Sequence, residues 1–371
     1  NTAVGTGSLI ANTTGYVNVA IGNDACYTAT TAAALTSVGY RAGGRVTTGS
    51  HNTCLGYYAG HNETTGTYNI FVGSLAGYNG TPTSATGSYN ICIGRATGAA
   101  FTTAYSNILI GDNAGDAMTD GVSNIGIGSA ALSSVSTGDY NVIVGGAGGD
   151  AITTASRNTG VGYACLTNVT TGSYNTGVGY VALEDITTGF GNTAIGYASG
   201  HETAAAIQYC TFVGYDTNPD NKTTAYTNSV ALGYGARILG SNQITLGNGS
   251  IQYIRCNTQS ITSLSDRRDK KDIATLSSSL NFISKLNPVF FNWNTRDGAK
   301  VDIPEHGFIA QELLEAQELS GFTVPHLVVT DDPEKLAASY GKLIPSMVKA
   351  IQELKALVEA QAQEIALLKA R

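Results

Sequence analysis

A short motif returns through the first two thirds of this 371-residue chain at a spacing of seventeen residues. It reads Asn, three small or apolar residues, Gly and often Tyr, with Thr-Thr-Gly or a relative later in the unit. Asn69-Ile70-Phe71-Val72-Gly73, Asn107-Ile108-Leu109-Ile110-Gly111 and Asn192-Thr193-Ala194-Ile195-Gly196-Tyr197 are examples. Fifteen glycines anchor the copies: Gly5, Gly22, Gly39, Gly56, Gly73, Gly94, Gly111, Gly128, Gly145, Gly162, Gly179, Gly196, Gly214, Gly233 and Gly247. Neighbouring anchors differ by 17 ten times and by 21, 18, 19 and 14 once each. The interval of 21 holds Pro82 in a four-residue insertion.

Such a period is too short and too rich in glycine for a helical solenoid. Each unit carries a β-type run bounded by turn residues. Side chains alternate along a strand, so Ile70 and Val72 share one face, as do Ile108 and Ile110. Phe71, Cys92, Leu109 and Ile143 fall on the other. A run apolar on both faces is buried on both. A single coil has one interior, so the second face calls for partners, and three chains about an axis supply them. In the second half the opposite face shrinks to Gly160, Gly177 and Ala194, where the chains are expected to approach more closely. The closing glycine is expected at positive φ or at a close backbone approach. The leading Asn residues are expected to stack as an amide ladder. One rung per unit gives a rod of roughly 70 Å; interleaved chains would give a longer one, and the sequence leaves both open. The tyrosines after glycine (Tyr57, Tyr163, Tyr180, Tyr197, Tyr215, Tyr234) either pack between rungs or offer faces to sugars.

The texture changes abruptly near residue 264. Residues 1–264 hold 42 glycines and 19 charged residues, against 4 and 28 in residues 265–371. The expected organisation is a β-repeat shaft over 1–256, a linker over 257–264, a small α+β domain over 265–342 and a coiled-coil helix over 343–371. Net charge is −7 with no basic stripe, which argues against nucleic acid as a partner. No apolar run is long enough to span a bilayer, and no membrane partner is expected. Cys26, Cys54, Cys92, Cys165, Cys210 and Cys256 show no metal-ligand spacing. They read as buried free thiols, suited to assembly in a reducing cytoplasm. No metal or cofactor is expected. Asn1 falls inside a repeat, so the chain reads as a piece of a longer protein with its attachment region upstream.

Beyond Ser265, a helix-compatible stretch covers 276–286, strand character follows Pro288, and a second helix follows His306-Gly307-Phe308. The last helix, introduced by Tyr340-Gly341-Lys342-Leu343-Ile344-Pro345, has heptad spacing. Ile344, Ile351, Val358 and Ile365 fall at a; Met347, Leu354, Gln361 and Leu368 fall at d. Four heptads of such spacing point to a coiled coil between chains, and Gln361 suits a polar layer in a trimer. The competing reading is a helix packed on its own domain.

The repeats resemble the β-roll heads of trimeric adhesins and the glycine-rich shafts of phage tail fibres. Gly240-Ser241-Asn242-Gln243-Ile244-Thr245-Leu246-Gly247-Asn248 resembles the closing unit of such heads. Residues 265–371 resemble, block by block, the self-cleaving intramolecular chaperone of phage endosialidases, tail spikes and neck appendages, a domain also found in myelin regulatory factor. The blocks are Ser265-Asp266-x-Arg268-x-Lys270-x-x-Ile273, the Asn-Pro-x-x-Phe-x-Trp run at 287–293, Gly307-Phe308-Ile309-Ala310-Gln311-Glu312, and Tyr340-x-x-Leu343-Ile344-Pro345. The resemblance implies a homotrimer that folds the shaft before it and then releases itself once, through a Ser265/Lys270 dyad.

A serine needs a base, and a lysine serves only when neutral, a state that burial and neighbouring cations such as Arg268 or Lys271 favour. Attack on the Leu264 carbonyl closes a five-membered ring, so the cut is expected between Leu264 and Ser265. Asp266, Arg268 and His306 are candidate supporting residues, though Asp266 could equally cap a helix. His51, His61 and His201 read as exposed loop residues. The expected function is a viral tail fibre or appendage, assembled in the host cytoplasm and located in the virion. A host glycan or protein receptor and other virion proteins are the expected partners. A polysaccharide-degrading spike and a cell-surface trimeric adhesin are the alternatives. The 12 acidic residues of 1–264 are out of phase with the repeat, which weakens the first.

Overall fold

The computed structural model describes the chain except residues 81–84, 205, 252, 253, 255–264, 297, 299, 331, 332, 335 and 371. Leu264, Cys256 and the Pro82 insertion lie outside the described residues. Two compact units divide the chain, Asn1–Asn248 and Gly249–Arg371.

The first unit is a single-chain β-solenoid. Fifteen three-residue strands, from Thr2–Val4 to Ile244–Leu246, form one parallel sheet in sequence order. The register advances by one repeat, with Thr159 opposite Thr176 and Gly160 opposite Gly177. Consecutive units of one chain therefore stack on each other, one rung per repeat.

Only the middle residue of each strand points into the coil. Phe71, Cys92, Leu109 and Ile143 are buried there. The residues on either side point outward. The third position of the strands is Val, Ile or Leu from Val4 to Leu246, leaving a continuous apolar stripe on the outer surface, with Ile93, Val144 and Ile195 exposed.

The expectation for the second half of the array is corrected. Gly160, Gly177 and Ala194 face the coil's own interior, so they do not set the approach of other chains. Their space is filled from across the coil. A Cβ on Gly160 would stand 2.7 Å from Cys165 Sγ and 3.3 Å from Leu166 Cδ1. Where the strand residue is large the relation inverts: a Cβ on Gly60 would lie 2.8 Å from the Phe71 ring. Interiors are close-packed, so a large residue on one wall requires a small one opposite.

The corner glycines meet both demands expected of them. Gly22 and Gly179 have φ of +136° and +141°, where a side chain is strained. A Cβ on Gly179 would also lie 2.6 Å from the carbonyl carbon of Gly196 on the next rung. The Asn ladder forms as expected. Asn158 Nδ2 donates to Gly172 O (3.0 Å) and Asn141 Oδ1 (3.2 Å), while its own Oδ1 accepts from Asn175 N (2.9 Å). These amides are fully buried, and the ladder satisfies groups that would otherwise be costly inside the coil. The five cysteines among the described residues are free and buried; burial pushes the Cys26 and Cys165 thiols up to about 11.

The second unit is small and mixed. Helices α1 (Leu280–Ile283), α2 (Ala310–Ser320) and α3 (Leu343–Lys369) accompany an antiparallel hairpin of Val289–Asn294 with Val301–Gly307. Phe282, Leu313, Ala316, Leu327 and Leu343 form its core. The helix expected over 276–286 is only one turn. Glu353 of α3 accepts from the backbone N–H of Ser279 (3.1 Å) and Leu280 (2.9 Å) and from Ser278 Oγ (3.0 Å). That carboxylate fixes the start of α1 at Leu280 by taking up its first free donors.

Helix α3 uses one face for its own domain and leaves another bare. Leu343, Ser346 and Ala350 are buried, and Glu353 continues that side. The a and d residues lie elsewhere on the helix. Ile344, Met347, Ile351, Leu354, Val358, Ile365 and Leu368 remain 47–65% exposed, and Gln361 is exposed with them.

Candidate self-cleavage site

Ser265 and Lys270 are brought together by a single turn. Asp266, in extended conformation, caps a 3-10 turn over Arg267–Asp269 by accepting from Arg268 N at 2.8 Å. The turn reverses the chain so that the fifth residue after Ser265 comes back to it. Lys270 Nζ lies 2.6 Å from Ser265 Oγ and 3.2 Å from Ser265 O. The first distance is a strong charge-assisted hydrogen bond and is within reach for proton transfer.

The surrounding charges are arranged locally. Asp266 takes the Arg268 guanidinium on both oxygens, with Nε at 3.1 Å from Oδ1 and the terminal nitrogen at 2.7 Å from Oδ2. The Arg268 side chain, and then its backbone N–H, hold the Asp266 carboxyl below the usual carboxylate range. Arg268 is thus paired with Asp266 rather than turned on Lys270. Asp266 serves as the cap that the sequence allowed, and by capping the turn it positions Lys270. Ser265 and Lys270 are both exposed in the single chain, so the dry setting that a lysine base requires is not provided by one chain alone. His306 sits on the second strand of the hairpin with its ring 5.3 Å from Phe290, making none of the described contacts with Ser265 or Lys270.

The shaft histidines are not uniform. His51 is exposed and stacks on Tyr68 at 4.7 Å. His201 is half-buried with Nδ1 2.8 Å from Glu184, which engages one of the adjacent acids Glu184-Asp185. His61 and His201 are corrected from exposed loop residues to half-buried ones, and His61 lines a cleft. The late tyrosines form an exposed ladder, Tyr163 to Tyr180, Tyr197, Tyr215 and Tyr234, with ring spacings of 5.8, 5.3, 4.9 and 5.6 Å. Tyr180, Tyr197 and Tyr215 each stack on two neighbours, so between its ends the ladder offers edges and not faces. No group of His, Cys, Asp and Glu suited to a metal occurs among the described residues. No helix among them is long and apolar enough to cross a membrane.

No curated protein and no solved structure matches the chain. Residues 265–324 match the family model of peptidase S74, the chaperone of endosialidase. The match begins at Ser265 and takes in Lys270, the hairpin and α2; the Tyr340 block and α3 lie beyond it. A long β-solenoid shaft running into this chaperone-of-endosialidase domain marks the chain as similar in architecture to a phage tail fibre or tail spike with a C-terminal chaperone.

Proposed function

We propose that the chain forms a homotrimeric tail fibre whose C-terminal domain drives assembly of the shaft and then cuts itself away between Leu264 and Ser265. The observation that carries this reading is the bare a/d stripe of α3. Seven large apolar side chains in heptad register remain exposed in the single chain, and three such helices wound together would bury them. The apolar outer stripe of the solenoid gives the shaft a second surface for the same partners.

Trimerisation also supplies what the dyad lacks. Packing of three domains would exclude water from Ser265 and Lys270 and favour the neutral amine. That amine takes the proton from Ser265 Oγ, and Oγ adds to the Leu264 carbonyl carbon. Collapse breaks the Leu264–Ser265 C–N bond, and the protonated lysine returns its proton to the departing nitrogen. The product is an ester between Leu264 and Ser265 Oγ. Water then cleaves it, leaving a carboxylate on Leu264 and a free amine on Ser265. The fibre so released is a virion component that binds a receptor on the host surface.

Mass spectrometry of purified protein beside Ser265→Ala and Lys270→Met tests the cleavage. A shaft fragment ending at Leu264 is expected from the parent, and full-length chain from both variants. An uncut parent trimer, or cutting that persists in Ser265→Ala, sinks the proposal.

A further inference from the structure

The early rungs break the repeat in one place on the turn that follows the corner glycine. Two residues after that glycine five of the later rungs carry Ala96, Ala130, Ala147, Ala164 and Ala198, and the others Leu75, Asn113, Val181, Asp216 and Gly235. Three successive early rungs carry Asp24, Arg41 and Tyr58 instead. Five residues after the glycine, Tyr27 and His61 flank Gly44 in the stack. Both rings lean toward the rung before their own. Tyr27 leans toward Gly7, whose added Cβ would meet its ring at 3.5 Å, while His61 leans over Gly44, whose added Cβ would meet Nδ1 at 2.6 Å. Between them lies a cleft of about 430 Å³ lined by Asp24, Tyr27, Arg41, Gly44, Arg45 and His61. That volume is in the range of small-ligand sites.

The chemistry of the lining is specific. Arg41 is balanced by Asp24 at 3.2 Å. Arg45 reaches Asn62 Oδ1 at 3.4 Å and makes no ion pair with a carboxylate among the described residues, so the cleft carries an uncompensated positive charge. His61 Nδ1 is buried and without a hydrogen-bond partner. Burial first, and then Arg41 and Arg45, hold that imidazole down to about 4, so it presents an uncharged ring. Tyr27 is half exposed and stacks on no other aromatic ring among the described residues, unlike the rings of the Tyr163–Tyr234 ladder.

We propose that this cleft binds one pyranose unit bearing a carboxylate, as found in acidic surface polysaccharides. The sugar ring lies between Tyr27 and His61, its carboxylate meets Arg45, and a hydroxyl reaches Asp24. Aromatic faces take the apolar side of a sugar ring, and a guanidinium fork matches a carboxylate. The inference rests on the receptor-binding reading only for the biological source of the sugar.

The test titrates the full chain with methyl glucuronide and methyl glucoside, which differ in one group, and reads ligand saturation-transfer signals by NMR. Binding of the glucuronide is expected to exceed that of the glucoside by roughly tenfold, the weight of one charge-assisted contact. Arg45 is exposed, so Arg45→Gln is expected to keep the fold by circular dichroism and to reduce the glucuronide to the level of the glucoside. Gly44→Ala is expected to block both sugars. Equal binding of the two sugars, no binding of either, or an unaltered preference in Arg45→Gln overturns the proposal. Labelled fibre applied to bacteria with uronic-acid capsules separates the two readings. Capsule binding undiminished in Arg45→Gln overturns the cleft as receptor site and leaves receptor binding standing. Glucuronide binding without cell binding sinks the receptor reading and leaves the cleft.

Discussion

Glu63→Gln is the substitution whose effect can be worked furthest from the structure. Glu63 occupies an interior column that holds Val46, Phe101 and Met118 on other rungs, and it is 2% exposed. Its Oε1 accepts from Gly66 N at 2.8 Å. Burial pushes the carboxyl up to about 8, against the opposing pull of the Gly66 and Thr64 N–H groups. The unfolded chain loses this proton near pH 4.5 and the folded chain near 8. Below 4.5 both forms hold the proton and the group costs nothing. Between the two values the folded state binds one proton more, so stability falls by about 1.4 kcal/mol per pH unit. Over the whole window the loss is roughly 5 kcal/mol, and above 8 it is constant. A glutamine keeps the acceptor for Gly66 N and removes the titration. Amide hydrogen exchange of peptides covering residues 53–72, corrected for intrinsic exchange rates, reads local opening of these rungs. From pH 5.5 to 7.5 the parent is expected to lose about 2.7 kcal/mol of protection and Glu63→Gln close to none. Equal slopes in both proteins, or a flat parent, would refute the reasoning.

Other perturbations bear on the ladder, the corners and assembly. Asn158→Ala leaves the Asn175 N–H buried without its acceptor and deletes four ladder bonds, with an expected loss of roughly 3 kcal/mol in exchange protection of the adjoining rungs. Gly179→Ala places a Cβ against the Gly196 carbonyl at strained φ; a loss of about 2–4 kcal/mol is expected, seen as early thermal exposure of the shaft to protease. Ile351→Asp with Leu354→Asp puts charge into the a/d stripe. Sedimentation is expected to find monomer or aggregate in place of trimer, and mass spectrometry to find Leu264–Ser265 uncut. A cleaved, trimeric double variant would show that α3 does not drive assembly.

Much of the shaft was legible from residue order because a solenoid is quasi-one-dimensional. A seventeen-residue period translates directly into stacked rungs, so identical residues must meet identical residues. The Asn ladder and the need for glycine at each corner follow from that stacking alone. The strand alternation showed which residues share a face, and the heptads of α3 showed which side of that helix would be apolar. The pairing of Ser265 with Lys270 was implied by resemblance, and its geometry depends on a local turn capped by Asp266. Contacts across the coil and between rungs were decided only by tertiary structure. Whether Gly160 and Gly177 faced inward or outward could not be told from alternation, because both faces of the strands are apolar. Their inward position became evident from Leu166, a residue on another wall that fills the space they leave. The cleft at Gly44 arises the same way, where a rung without a side chain lies between the rungs that carry Tyr27 and His61. Period is a property of order along the chain, whereas volume is shared among residues that order does not bring together.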